Sequence, residues 1–282
     1  MIGMNALGQN GRLGNQMFQF ASLVGIAKNM GYEYCIPDHS KAFWFDKIDG
    51  DEIITVNHQL QHLFEMKDVK LGEVENGNDI KLEQAEFCEE LFNECPDNST
   101  LYGYFESYHY FENAEEEVRR LFTFDQLASM SARAFHLGTD NPVALNVRRG
   151  KDFIRVQDFH PPCSETYYKE AIERVGKDRQ YVVISDDYEW CKEIFKGDNY
   201  IFSEEVPAGM YKGHYDMAVG ASCDDFIISN STFSWWMAYL GKSETKKVYA
   251  PDPWFGPRLS HIDTEGYYPD WIEKIEREIV RV

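Results

Sequence analysis

Val143-Ala144-Leu145-Asn146-Val147-Arg148-Arg149-Gly150-Lys151-Asp152-Phe153 is the stretch whose reading decides the fold. The apolar run Val143 to Val147 has the make-up of a buried parallel strand, and it stops abruptly in two arginines, a glycine, a lysine and an aspartate. Open α/β sheets bind ligands at the carboxyl ends of their strands. Arginine suits an anionic oxygen group there, because its planar fork donates two parallel hydrogen bonds and keeps its charge. Gly150 would admit a close backbone approach to whatever is bound. A strand followed by a solvated basic turn would look the same in this stretch alone, so the weight falls on the other strand ends.

Downstream the pattern alternates. It predicts helices over 164–175, 188–195, 213–221 and 233–240, strands over 181–184, 226–228 and 247–250, and a terminal amphipathic helix over 271–280 carrying Ile272, Ile275 and Ile279. Such alternation implies a parallel, Rossmann-like sheet. The residues following Val147, Ile184 and Ile228 should then rim one crevice. Ser185, Asp186 and Asp187 offer acceptors for base N–H groups or ribose hydroxyls. Asn230, Ser231 and Thr232 offer hydroxyls and backbone amides at a helix N-terminus, which binds phosphate readily. Each set alone reads as an ordinary N-cap. Their occurrence after successive strands favours a site. Phe233, Trp235, Trp236 and Tyr239 read mainly as core, with one ring lining the pocket.

Upstream, a strand over 2–7 leads through Gly8-Gln9-Asn10-Gly11-Arg12-Leu13-Gly14 into a helix with Met17, Phe20, Ala21, Val24 and Ala27 on one face and Gly31 as its stop. The glycine spacing matches neither the dinucleotide fingerprint nor a Walker A loop. Asn15 and Gln16 open the helix, placed to cap it or to face a cleft. A second strand over 32–36 ends at Pro37. From 41 to 98 periodicity is poor. Asp49-Gly50-Asp51 is a literal D-x-D, the arrangement that bridges a diphosphate through a divalent ion, but no apolar strand precedes it and it reads as a solvated turn. No metal site is expected. Gly138 to Pro142 marks a boundary between domains 1–138 and 139–282.

The 282 residues are 43% hydrophobic, enough for a sizeable core, and carry 28 basic against 48 acidic side chains. The formal charge of −20 excludes nucleic acid as a natural partner and makes Arg148, Arg149 and Lys151 stand out. Six scattered cysteines without a C-x-x-C pair read as reduced, hence cytoplasmic. No leader pattern and no apolar stretch of about 20 residues is present, so no transmembrane segment is expected.

Gly11-Arg12-Leu13-Gly14-Asn15-Gln16-Met17-Phe18-Gln19-Phe20-Ala21, Gly103-Tyr104-Phe105-Glu106-Ser107, Val147-Arg148-Arg149-Gly150, Ser185-Asp186-Asp187 with Trp190, and Asn230-Ser231-Thr232-Phe233-Ser234-Trp235-Trp236 together resemble the bacterial α-1,2-fucosyltransferases, glycosyltransferase family 11. Protein O-fucosyltransferases and α-1,6-fucosyltransferases look similar in the arginine block. The resemblance implies a GT-B-like α/β fold, two Rossmann-like domains with a nucleotide-sugar cleft between them: an acceptor-side domain, 1–138, and a GDP-sugar-binding domain, 139–282. It implies inverting, metal-independent transfer of L-fucose from GDP-β-L-fucose, a co-substrate rather than a cofactor, to O2 of a terminal galactose in an oligosaccharide acceptor. Arg148 would hold the diphosphate and stabilise it as it leaves, with Arg149 beside it. Ser231, Thr232 and Phe233 would bind the phosphates and nucleoside, helped by Asn230 and Ser185. Asp152 and Asp186 would seat the nucleotide, and Asn15 would lie near the sugar and the reacting centre.

Family members usually have histidine where Asn146 stands, an acid directly after Arg-Arg-Gly where Lys151 intervenes, and a small residue where Met237 follows Trp-Trp. Asp152, Asp158 and His160 are the choices for a general base. The alternatives are a transferase using another nucleotide sugar or acceptor hydroxyl, and a non-catalytic nucleotide- or glycan-binding module, which has no need of cations at a leaving group. The compartment is read as cytoplasmic, with peripheral docking at the inner membrane face left open.

Overall fold

Val143–Val147 is a strand with all five residues buried, as its unbroken apolar run demands of a strand covered on both faces. In the computed structural model, which describes residues 1–41, 43–46, 53–136 and 138–281, it lies in the middle of a six-stranded sheet. The neighbours run Ile272–Glu276, Val248–Asp252, Asp225–Ile227, Val143–Val147, Tyr181–Ser185, Tyr200–Phe202, and every pairing is parallel. In chain order this is third, second, first, fourth, fifth, sixth from one edge, the doubly wound Rossmann order. Its topological switch point falls between Val143–Val147 and Asp225–Ile227. The helices Glu165–Val175, Tyr188–Ile194, Lys212–Ala221 and Thr232–Leu240 are those the periodicity predicted, to within a residue or two.

The terminal amphipathic helix is not there. Ile272–Glu276 is instead the sixth strand, paired over all five residues with Val248–Asp252. Isoleucines at 272, 275 and 279 mimic helical spacing, but Val248–Asp252 presents a row of backbone donors and acceptors that only another strand can satisfy. Ile272 and Ile275 are buried in this setting. Arg277 locks the exit, with Nη1 donating to Pro161 O and Nε to Pro253 O, each at 3.1 Å.

The chain divides into two units. One comprises Met1–Asp125 with Thr264–Tyr267; the other comprises Gln126–Asp263 with Tyr268–Val282. The division thus falls after Asp125, ahead of the glycine-proline stretch that marked it in the sequence. The helix Gln126–Phe135 packs with Lys212–Ala221, burying Ala128 and Ala132, and the adjoining His136 ring pairs with the Val219 carbonyl at 2.8 Å.

The N-terminal unit has its own parallel sheet, ordered Tyr34–Cys35, Ile2–Gly3, Ser99–Tyr102, Asn78–Lys81. Its centre is the helix Leu13–Met30, buried from Leu13 through Ala27 except at Asn15 and ended by Gly31 at φ 69°. Because this helix is enclosed on all sides, its polar residues must find partners within the protein. Gln19 donates to Asn10 O at 2.8 Å, Gln16 accepts from Gln59 N–H at 2.7 Å, and Ser22 donates to Phe105 O at 3.2 Å. These bonds fasten the glycine loop and the 103–107 segment to the helix that carries Asn15. Phe43–Asp46 and Ile53–Val56 form a separate antiparallel pair. Asp49 and Asp51 lie outside the described residues.

Candidate functional site

At the switch point the three predicted strand ends come together. Ser229 follows Asp225–Ile227, and its hydroxyl donates to Asn146 Oδ1 at 2.7 Å. Asn146 in turn donates to Ile184 O at 3.3 Å. One buried amide therefore ties all three strand ends, and this is what Asn146 does where histidine is usual. Tyr168 adds an O–H bond to Asn146 O at 3.2 Å.

Above this brace sit the charges. Arg148 makes two bonds to Asp152, at 2.5 and 3.3 Å, and an ion pair with Asp186 Oδ2; its guanidinium lies 5.0 Å from the Phe153 ring centre. Asp186 also accepts from the Arg149 N–H at 2.7 Å. Arg149 lies over Trp190 at 4.7 Å, with Asp187 Oδ2 3.8 Å from its Nε. Gly150 makes room for this arrangement: a Cβ there would meet Asp186 Oδ2 at 2.6 Å. What comes close to Gly150 is therefore the protein's own carboxylate.

The cluster differs from the expected positive pocket. Three cations, Arg148, Arg149 and exposed Lys151, stand among three carboxylates, Asp152, Asp186 and Asp187, so its formal charge is balanced. The carboxylates hold both arginines in place. Arg148 keeps 21% of its side chain exposed, so an incoming dianion can still compete for its fork.

On the other flank the helix Thr232–Leu240 begins at Ser231, whose side chain makes no capping bond. Ser234 turns back, donating to Ser229 O and Ser231 O at 3.0 Å each. The first-turn amides are thus not covered by a Ser231 hydroxyl cap, which suits an anion. Ser231, Thr232 and Phe233 are half-buried, whereas Trp235, Trp236 and Tyr239 are core, Trp235 stacking on Tyr239 at 5.4 Å. Phe233 is therefore the ring of that cluster left for a ligand.

Two predicted contacts have other tasks. Asn230 is 2% exposed; its amide donates to Trp254 O at 3.0 Å and its Oδ1 accepts from the Cys163 thiol at 3.6 Å. Its side chain braces the loop instead of meeting a ligand. The Ser185 hydroxyl accepts from the Asp187 N–H at 2.9 Å, shaping the turn in which Asp187 caps Tyr188–Ile194 through Trp190 N–H at 3.1 Å.

The candidate bases also separate. Asp152 is engaged with Arg148, and Asp158 with Arg281 at 2.6 Å. His160 lies between the rings of Phe153 and Phe255, and burial, with Arg148 nearby, pushes it towards its neutral form. A neutral imidazole can accept a proton.

Met237, the last of the three departures, is fully buried against Gly220, where a Cβ would lie 2.2 Å from the Met237 sulfur. The missing side chain on one helix accommodates the larger one on the other.

In the N-terminal unit, Asn15 donates to Glu106 Oε1 at 2.8 Å, and Tyr267 donates to Glu106 Oε2 at 2.6 Å. Gly11, at φ 77°, is needed here, since a Cβ would meet Asn15 Cγ and Nδ2 at 2.7 Å. Glu106 follows buried Phe105, itself held at φ 54°, and burial pushes its carboxyl up to about 7 against the opposing Tyr267 bond. In the sequence Glu106 stands only as one letter of a motif. Its aromatic neighbours Tyr104 and Phe105 were the signal that it would be enclosed.

Residues 1–274 match the profile of glycosyl transferase family 11. The chain belongs to that family. It is therefore a glycosyltransferase. An alpha-1,2-colitosyltransferase of Escherichia coli is 27% identical over 87% of this chain and 90% of its own length. A galactoside alpha-(1,2)-fucosyltransferase 1 of Ateles belzebuth is 26% identical over 93% of this chain and 72% of its own. Among solved structures, POFUT1 in complex with GDP superposes with a TM-score of 0.54 at 14% identity, covering 87% of this chain and 96% of that one. The fold class is thus that expected, α/β of GT-B type with two parallel-sheet units.

Proposed function

We propose that this family 11 member transfers L-fucose from GDP-β-L-fucose to O2 of a terminal galactose, with inversion and without a metal ion. The observation that carries the reading is the placement of Arg148 and of the start of helix Thr232–Leu240 after the carboxyl ends of adjacent parallel strands, on either side of the switch point of a Rossmann sheet. An anion bound there lies between a guanidinium and backbone amides. As the bond from C1 to the phosphate oxygen breaks, its electron pair passes to the diphosphate, where these groups stabilise it. The acceptor oxygen forms the new bond to C1 from the other face and loses its proton, for which His160 is held as a neutral base. Asp152 and Asp186 orient Arg148, and Phe233 offers a face to the nucleoside. Asn15 stands on the acceptor side.

The colitosyltransferase relative, matched over 90% of its length, favours a colitosyl donor as the second reading. Incubating the protein with GDP-fucose, GDP-colitose and other GDP-sugars, and with galactosides, in the presence of chelator, followed by NMR of the product, separates the two. A fucosyl α-1,2 linkage is expected. Transfer that starts only on adding a divalent ion overturns metal independence.

A further inference from the structure

We propose that Glu106 is a positioning residue for Asn15, selecting which end of the Asn15 amide turns inward. The proposal rests on the reading of Asn15 as a residue of the transfer site. Three elements of the N-terminal unit build the contact. The helix Leu13–Met30 supplies Asn15, the 103–107 segment supplies Glu106, and the turn Glu265–Tyr267 supplies Tyr267. Each carboxylate oxygen receives one donor, Asn15 Nδ2 at 2.8 Å and Tyr267 Oη at 2.6 Å. Glu106 is 8% exposed, and no cation pairs with it among the described residues. Its titratable neighbours are Tyr267 and, from its own segment, Tyr104.

An ionised carboxylate only accepts hydrogen bonds, so it demands the Nδ2 end of the amide and turns Oδ1 the other way. A protonated carboxyl can also donate, and then either end of the amide suffices. The grip on Asn15 is consequently strict when Glu106 is ionised and slack when it is not. Backbone geometry supports a built contact: Gly11 leaves the space Asn15 occupies, and Phe105 adopts a left-handed conformation at the residue before Glu106. With burial pushing the carboxyl up to about 7, the changeover lies in the physiological range.

The test measures kcat from pH 6 to pH 8, with GDP-fucose and a galactoside, for the unaltered protein, Glu106→Gln, Asn15→Ala and the double variant. The unaltered protein should gain about fivefold across that range, as one ionisation near 7 dictates when the protonated form keeps about a tenth of the activity. Glu106→Gln should be flat and about tenfold slower at pH 8, and adding Asn15→Ala should cost no more than Asn15→Ala alone. A Glu106→Gln protein that keeps the pH step, or losses that multiply in the double variant, overturns the proposal. Folded Glu106→Gln as inactive at every pH as a base-deleted enzyme also overturns it, pointing to direct proton transfer.

A readout independent of the donor is the Asn15 side-chain amide resonance, assigned by its absence in Asn15→Ala. It should titrate with a midpoint near 7, and Tyr267→Phe should move that midpoint upward, since the lost phenol stabilises the anion. A resonance that does not titrate overturns the proposal, whereas absence of fucose transfer alone overturns only the donor assignment.

Discussion

The C-terminal strand-end cluster and the N-terminal loop-and-helix cluster both set carboxylates beside candidate functional side chains, and they handle them in opposite ways. Asp152 and Asp186 are part-exposed and matched by Arg148, so they serve as struts for a cation. Among the described residues Glu106 is enclosed and matched only by neutral donors, so its ionisation is opposed by desolvation and favoured by hydrogen bonds. The first cluster is fixed by paired opposite charges. The second is fixed by shape, with charge left to vary.

The largest expected effect tests the charged side of the comparison. Arg148→Ala should lower kcat by about 10²- to 10³-fold, the range for one preorganised donor, while the unfolding midpoint stays close to that of the parent. Arg148→Lys should recover little, because a point charge cannot bridge as a fork does. Turnover undiminished by Arg148→Ala would break the comparison at its stronger end.

The next effect sharpens the enclosed side. The folded-state value for Glu106, about 7, is above its ordinary 4.5, so its protonated form contributes stability that is complete below about 4.5 and is lost as pH rises through 7. Relative to Glu106→Gln, the protein should lose on the order of 3 kcal/mol across that window. Thermal unfolding of both proteins at pH 5 and pH 8 reads this directly, and a constant difference would refute it.

Smaller effects come from packing. Gly220→Ala places a methyl group against the Met237 sulfur and should cost about 1 to 3 kcal/mol, and Met237→Ala in the same chain should recover part of it. Asp187→Ala removes the cap of Tyr188–Ile194 and should cost about 1 kcal/mol, visible as a shift in denaturant midpoint.

The charged cluster was legible in the sequence because its strands announce themselves. Val143–Val147 and Tyr181–Ser185 are unbroken apolar runs that stop in polar residues, and a parallel sheet then dictates that their ends converge. What was missed has physical causes. Tyr200–Phe202 is three residues long, and Asn78–Lys81 is a polar edge strand, too short or too hydrophilic to show a period. Ile272–Glu276 carried a helical spacing that the open edge of its neighbour overrode. Arg148, Asp152 and Asp186 could be named but not their mutual pairing, which turns an expected positive pocket into a balanced one. Asn230 looked like a ligand contact because burial is invisible to a motif. Glu106 was overlooked because a lone acid acquires meaning only when its surroundings are known to be dry.

Thr264–Tyr267 belongs with the first 125 residues although it is encoded far behind them. During synthesis, therefore, the unit begun first is completed only when most of the second has already been made: Glu106 gains its phenolic donor, and Gly266 its seat against Ser107, only after the ribosome has passed Tyr267. A polypeptide halted before that point would carry a complete Leu13–Met30 helix and a carboxyl still wanting one of its two donors.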